Sequence, residues 1–307
     1  TFVQTEQFGA GRTWSLAWGD YDNNGYLDMA VGNGFGWAQN YLFTNKGDGG
    51  FMSAEQFDTA STGGLAWADF DDDGDLDLAV GNEWDQQNVL FVNRGSGRFA
   101  QVSQFGSGVT HAVAWGDVDN DGDPDLAVGN HGQNYVFVND DGTFRQLDAF
   151  GAENTKALAW QDFDRDGDLD LAVGNDADQQ NYLYINEGDG VFSESAQFGT
   201  GNTFSLAWGD YDNDGDADLA VGNFGDQANV LFANNGDGTF ASFADFGAGN
   251  TSAVAWGDFD NDGDLDLAVG NGYGQQNYLY INQFTALARY PPIRSSSTVL
   301  LRTGWLR

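Results

Sequence analysis

The stretch that decides the fold is 256-WGDFDNDGDLDLAVGN-271. It holds a carboxylate-rich loop, Asp258-x-Asp260-x-Asp262-Gly263-x-x-Asp266, with a short apolar run on each side, AVAW before it and LDLAV after it. The same pattern opens at Trp18, Trp67, Trp115, Trp160, Trp208 and Trp256, at intervals of 49, 48, 45, 48 and 48 residues. A fixed period between about 20 and 50 residues marks a repeat architecture.

Each unit reads as four short strands. The first is a small-apolar run ending in tryptophan, such as Ser205-Leu206-Ala207-Trp208, and the second follows the loop, as in Ala217-Asp218-Leu219-Ala220-Val221. The third alternates through Asn181-Tyr182-Leu183-Tyr184-Ile185-Asn186, and the fourth runs from Thr239-Phe240 to Phe246-Gly247. Strand length, aromatic and β-branched content and close turn signals all favour strands, and no segment reads as helix. Asn-x-Gly-Asp-Gly at 45–49, 186–190 and 234–238 places glycine where a bulged hairpin needs positive φ.

Six such units predict an all-β fold, a six-bladed β-propeller of four-stranded antiparallel blades. An open solenoid is the competitor, but the chain ends complement each other. The sixth unit stops at Asn282-Gln283, where its fourth strand is due, and Thr1-Phe2 through Phe8-Gly9 matches that strand as it stands at 239–247. Residues 1–9 are thus expected to complete blade six and close a ring spanning 1–283. Residues 284–307 break from the repeat. Pro291-Pro292 stops regular pairing and Ser295-Ser296-Ser297 reads as flexible. This tail is expected to be flexible or to dock on a neighbour, giving self-association by strand addition.

The formal charge is −36, and it is unevenly spread. Residues 1–283 hold all 47 acids and 7 of the 11 bases, a net of −40, while the tail holds four arginines and no acid. Such a body repels phosphate backbones and anionic lipid, which argues against nucleic acid as a partner. Hydrophobic content of 41% and aromatic content of 15% argue against disorder, because there is ample apolar surface to bury. With no cysteine there is neither a disulfide frame nor a thiolate metal site. No run reaches the ~18 apolar residues of a membrane-spanning helix, so membrane insertion is not expected. The chain opens on TFVQTEQFG without a basic and apolar leader, as expected of a processed or excised product.

The loop chemistry points to a cation. Adjacent carboxylates ~4 Å apart repel by roughly 1 kcal/mol in water and more near a surface of lower dielectric. A hard cation reverses that sign. Ca²⁺ takes six to eight oxygens, and a nine-residue turn can supply them from positions one, three, five, seven and nine, with glycine at six for the bend. Side chains would act at one, three, five and nine, and the carbonyl at seven. Blade one offers Asp20, Asp22, Asn24, Tyr26 and Asp28, where the tyrosine fits a carbonyl ligand. Blade two offers Asp69, Asp71, Asp73, Asp75 and Asp77, and blade three Asp117, Asp119, Asp121, Asp123 and Asp125. Blade four offers Asp162, Asp164, Asp166, Asp168 and Asp170. Blade five offers Asp210, Asp212, Asp214, Asp216 and Asp218, and blade six Asp258, Asp260, Asp262, Asp264 and Asp266.

About six calcium ions are expected, with blade one the weakest site because Asn24 removes a charge. Magnesium keeps several waters and resists an all-protein cage. This is not an EF-hand, since position twelve is always valine (Val31, Val80, Val128, Val173, Val221 and Val269) and a strand follows. The plainer alternative is a solvated acidic turn without metal.

The combination of Phe-Gly, Asp-x-Asp-x-Asp-Gly-x-x-Asp and Val-Gly-Asn resembles the FG-GAP repeat of integrin α-subunit propellers and the related VCBS-type repeats of bacterial surface proteins. The resemblance spans residues 1–283. It implies a calcium-binding propeller, usually secreted or displayed at the cell surface, that serves in adhesion or recognition or as a module of a larger protein. Some relatives are lectins. Two departures stand out: Gly270-Asn271 and its equivalents replace the integrin Gly-Ala-Pro, and six units are present where integrins have seven.

If the acidic loops line one face, the connections from strand two to three and from four to one line the other. These vary between units and carry Trp14, Phe35, Trp37, Trp84, His111, His131, Phe204, Phe224 and Tyr273, with Gln39, Gln87, Gln133, Gln180 and Gln276 nearby. Aromatic rings beside amides suit a glycan or a protein ligand; packing between blade tops is the alternative. The framework tryptophans read as inter-blade core. An enzyme is not expected. The two histidines both fall in unit three without a nucleophile arrangement, and the paired aspartates all belong to the loops, where a cation would hold them ionised. The sequence reading is a calcium-stabilised extracellular recognition module, with a surface filament or layer and a calcium-dependent lectin as alternatives.

Overall fold

The computed structural model of the protein describes residues 12–34, 39–48, 50–52, 56–147 and 149–283. Among them are 24 strands and no helix, arranged as six small antiparallel sheets about one axis, a six-bladed β-propeller. Blade five shows the plan. Thr203–Gly209, Asp218–Asn223, Gln227–Asn234 and Phe240–Gly249 pair in sequence order. In blade one the described parts of the fourth strand, Phe51–Met52 and Gln56–Asp58, both pair with the third strand. Blade six has three strands among the described residues, Thr251–Gly257, Asp266–Asn271 and Tyr278–Tyr280.

The second strand, Asp-Leu-Ala-Val-Gly-Asn in blades two to five, is buried at every position there. It is a central strand covered on both faces by neighbouring sheets, so it reads as a continuous small-apolar run instead of an alternation. Glycine in that run permits close approach. A Cβ on Gly129 would lie 2.8 Å from the Thr155 methyl of the next blade.

Consecutive blades are joined by one repeated set of contacts. The indole Nε1 of Trp67, Trp115, Trp160, Trp208 and Trp256 donates to the carbonyl of Ala17, Ala66, Ala114, Ala159 and Ala207, respectively, in the preceding blade. The Asn at the end of the third strand also reaches back one blade. Asn93 Nδ2 donates to the Tyr21 carbonyl at 2.7 Å, and Asn139, Asn186, Asn234 and Asn282 repeat the contact with Phe70, Val118, Phe163 and Tyr211. The framework tryptophans thus fill the spaces between blades, and five junctions are built alike.

The halves of a sixth junction stand on blades six and one. Trp18, the counterpart of those tryptophans, is 54% exposed, and Leu279 of blade six is 43% exposed where Leu183 in blade four is fully buried. Among the described residues no bond of the repeated set joins blade six to blade one. A groove of about 380 Å³ at blade six is lined by Tyr211, Phe246, Trp256 and Tyr280. At blade five the equivalent residues Phe163, Phe198, Trp208 and Phe232 enclose the ring of Phe240, the first residue of the fourth strand. Residues 1–9, expected to supply that strand and ring, lie outside the described residues, as does the tail 284–307.

Candidate metal centres

Each acidic loop spans the hairpin between the first and second strands. Cross-strand pairs such as Trp115 with Leu126 and Gly116 with Asp125 fix its two ends. The interior folds back on its own carboxylates. In blade three Asp117 receives the N–H groups of Asp121 and Gly122, at 3.2 and 3.1 Å, and Asp121 receives that of Asp123 at 2.9 Å. Two left-handed residues make the turn. Position four has φ between 53° and 65°, and the glycine at six lies between 88° and 102°, where a side chain would be strained.

The aspartate at position nine has a second role. Asp125 is fully buried and takes two backbone N–H groups, from Val118 and Asn139, each at 2.7 Å. It therefore ties the loop to the third strand of its own blade, and Asp28, Asp77, Asp170, Asp218 and Asp266 do the same. Burial pushes Asp125 and Asp218 up to about 7 and Asp77 and Asp170 up to about 6. The two N–H groups pull against that shift, and neighbouring aspartates at positions three and five add to it. Asp71, Asp119, Asp164 and Asp212 at position three are raised as well, by burial and then by the aspartate at five.

Positions one, three and nine converge. Carboxylate oxygens of Asp20, Asp22 and Asp28 lie within 4.8 Å of one another, and so do those of 69, 71 and 77, of 117, 119 and 125, of 162, 164 and 170, and of 210, 212 and 218. Oxygens sharing one Ca²⁺ at 2.3–2.6 Å can be at most about 5 Å apart, so each group fits around a single ion. Oδ1 of Asp71, of Asp119 and of Asp162 is buried with no hydrogen-bond partner, a costly state that a cation would relieve. The loops can therefore hold metal ions.

Position seven is set differently. In blades two, four, five and six its side chain meets the loop of the preceding blade: Asn23 Nδ2 donates to Asp75 at 2.5 Å, Asn120 to Asp168 at 2.5 Å and Asn213 to Asp264 at 2.6 Å, while Arg165 pairs with Asp216 at 2.6 Å. That leaves the carbonyl at seven as its donor to an ion. Position four was not singled out from the sequence, although asparagine at 23, 120, 213 and 261 was a visible signal. In blade one, Asn24 accepts the Tyr26 N–H and donates to the Asn45 carbonyl.

On the opposite face the structure brings together some of the variable residues. Phe204 stacks on Phe224 with centroids 4.8 Å apart, and Tyr273, 86% exposed, packs edge-on to Phe224 at 5.6 Å. Lys156 stands over the Phe204 ring at 5.7 Å and lies 2.8 Å from His111 Nε2, whose Nδ1 is 3.1 Å from Glu83. Ser61 donates to the same carboxylate at 3.0 Å. Burial lowers the pKa of Lys156, against the pull of Asp176 and Glu83. His111 is thus held in a bonded chain across blades two to four. His131 is exposed and bridges Asn154 through its backbone, while Trp14 and Trp84 stand exposed on their own blades. Trp37 and Phe35 lie outside the described residues.

The same face hides a polar lock that sequence reasoning missed. Thr155 Oγ1 donates to Asn175, Asn134 Nδ2 of the preceding blade donates to Thr155 Oγ1, and the Asn175 N–H donates to Asn181. This is the work of the asparagine in Val-Gly-Asn.

Residues 20–80, 69–128, 117–173, 162–221 and 210–269 each match the FG-GAP-like repeat, every match running from one acidic loop into the next. No curated protein is significantly similar in sequence. Among solved structures, BBS1N in complex with ARL6DN is similar with a TM-score of 0.60 at 11% identity, over 85% of this chain and 77% of that one. A structure described as showing specific recognition of non-reducing terminal N-acetylglucosamine by an Agrocybe aegerita lectin is similar with a TM-score of 0.53 at 19% identity, over 88% of this chain and 80% of that one. At these identities the likeness is one of fold.

Proposed function

The chain belongs to the FG-GAP-like repeat family, and on that premise we propose that it is an extracellular, calcium-stabilised recognition module without catalytic activity. The observation that carries the reading is the division of labour between its faces. One face holds repeated carboxylate groups with unsatisfied buried oxygens, suited to calcium. The other carries the Phe204, Phe224 and Tyr273 rings, continuous with Lys156 and varying from blade to blade. Exposed rings beside polar groups are what a glycan or a protein ligand uses. The two similar structures, one a protein complex and one a lectin, support a ligand of either kind.

A glycan array and a surface-protein panel, probed in calcium and in EGTA, test this reading. Calcium-dependent binding that Tyr273→Ala and Phe224→Ala both abolish is expected. Silence across both panels, or binding indifferent to both substitutions, overturns it.

A second reading, a subunit of a surface filament or layer, is favoured by the exposed halves of the repeated junction on blades one and six. Head-to-tail contact between copies would pair them. Electron microscopy of the calcium-loaded protein should then show polymers that Trp18→Glu abolishes.

A further inference from the structure

The repeat is shortest between Trp115 and Trp160, at 45 residues, and the structure shows what the shortening does. In blades two, four and five the third strand starts at a residue such as Gln86, which pairs with Gly108 at the end of the fourth strand. Blade three has two fewer residues between its second and third strands, so its third strand is only Tyr135–Asn139 and its fourth only Phe144–Gln146. Beyond Gln146 the continuous ladder gives way to single contacts: the Leu147 N–H donates to the Val136 carbonyl at 2.8 Å, and Asn134 and Phe150 form an isolated antiparallel bridge. Gln133 Nε2 donates to the Gly151 carbonyl at 2.6 Å, and the Gly132 N–H donates to that of Glu153 at 2.8 Å. Between this segment and blade four lies a cleft of about 580 Å³.

Two acids that depart from the repeat converge there. Glu153 stands where blades two, four and five have Gly108, Gly201 and Gly249. Glu194, opposite Tyr184 across the strand pair, stands where blades two and five have Gln101 and Ser242. Both line the cleft with Asp189, beside the rings of Tyr182, Tyr184 and Phe192. Among the described residues no base lines it, and none of the three acids is in an ion pair. Tyr182 and Tyr184 both have raised pKa values, from burial first and then from Glu153 and Glu194, which places both carboxylates within electrostatic reach of the rings.

Aromatic faces and unneutralised carboxylates around one cleft complement a cation with an apolar stem. The geometry points to a binding site for an organic ammonium group in the cleft between blades three and four. A free amine and a lysine side chain of a partner protein share that chemistry. The site is separate from the acidic loops and from the Phe204 strip, and it stands whether or not the recognition reading does.

The test is NMR titration of the isotope-labelled, calcium-loaded full chain with n-butylammonium and with end-blocked Gly-Lys-Gly, against end-blocked Gly-Gln-Gly. Saturable shifts confined to Gly151, Glu153, Tyr182, Tyr184 and their neighbours are expected with the two cations and not with the glutamine peptide. Tighter binding of butylammonium assigns a free amine, and tighter binding of the lysine peptide assigns a side chain. Tyr182→Ala should weaken binding about five- to ten-fold at unchanged charge, Tyr182→Phe should retain it, and Glu194→Gln should weaken it where Asp245→Asn, an equal charge change on blade five, does not. Shifts that fail to saturate, that spread over the acidic loops, or that respond equally to E194Q and D245N overturn the proposal. Each variant is first checked for an unchanged thermal midpoint in calcium.

Discussion

The backbone N–H of Asn139 donates to Oδ1 of Asp125 at 2.7 Å, so the last carboxylate of the acidic loop is also the anchor of the third strand. The acidic turn and the blade are one unit at this atom.

Asp125→Ala should leave two buried N–H groups, those of Asn139 and Val118, without an acceptor. At about 1–3 kcal/mol for each, a loss of roughly 2–6 kcal/mol is expected in urea denaturation. Asp123→Ala removes a carboxylate that takes the exposed Asp141 N–H at 3.3 Å and should cost within about 0.5 kcal/mol. Equal losses would refute the separate roles of positions nine and seven.

Calcium should raise the unfolding temperature well beyond what equal magnesium does, and titration calorimetry should find about six sites. Binding to the folded state alone contributes about 2.7 kcal/mol per site at a free concentration of 100 times Kd. A midpoint indifferent to EGTA would exclude a structural role for the ion.

The pH response should change sign with calcium. In the calcium-free protein Asp125 and Asp218 sit near 7, and Asp77 and Asp170 near 6, all above the 3.8 of the unfolded chain. A raised carboxyl stabilises fully below its unfolded pKa, and the stabilisation is lost as pH rises through the folded value. In EDTA the protein should therefore be more stable at pH 5 than at pH 8. In saturating calcium, protons compete for the ligands, so stability should fall between pH 7 and pH 5. Thermal scans at pH 5, 6, 7 and 8 with and without calcium decide it.

Gly209→Ala and Gly257→Ala occupy equivalent positions in blades five and six. A Cβ at 209 would lie 2.7 Å from Trp256, whereas at 257 nothing lies within 4 Å. Overpacking at 209 should cost about 1–3 kcal/mol, and the change at 257 should be near neutral. A comparable loss at both sites would mean that blade one closes on blade six in solution.

The groove beside Trp256 accepts a ring by the pattern of Phe240 on Trp208, and Phe2 is expected to supply it. Phe2→Ala should cost about 3–5 kcal/mol, and Val3→Ala less. Chemical denaturation of the two variants checks the difference.

Much of this molecule was legible in its sequence because the code is local and repeated. The strands of each unit and the spacing of the carboxylates at one, three and nine act within a dozen residues, where backbone geometry leaves little choice, and the period repeats them. The face opposite the loops was legible only as a set of variable positions. Phe204, Phe224 and Tyr273 were named from the sequence, but their contact depends on how blades five and six pack. Lys156 and Glu83, which hold His111, carried no local signal.

The sequence by itself determined the number of blades, the order of their strands and where cations can be held. Only the tertiary structure decided that position seven turns its side chain to the preceding loop, that position nine anchors a strand, and that one shortened unit opens a cleft between Glu153, Tyr182 and Glu194. The reason is separation along the chain. Contacts such as Asn93 on Tyr21, 72 residues apart, are set by the packing of whole sheets, and no short-range spacing encodes them.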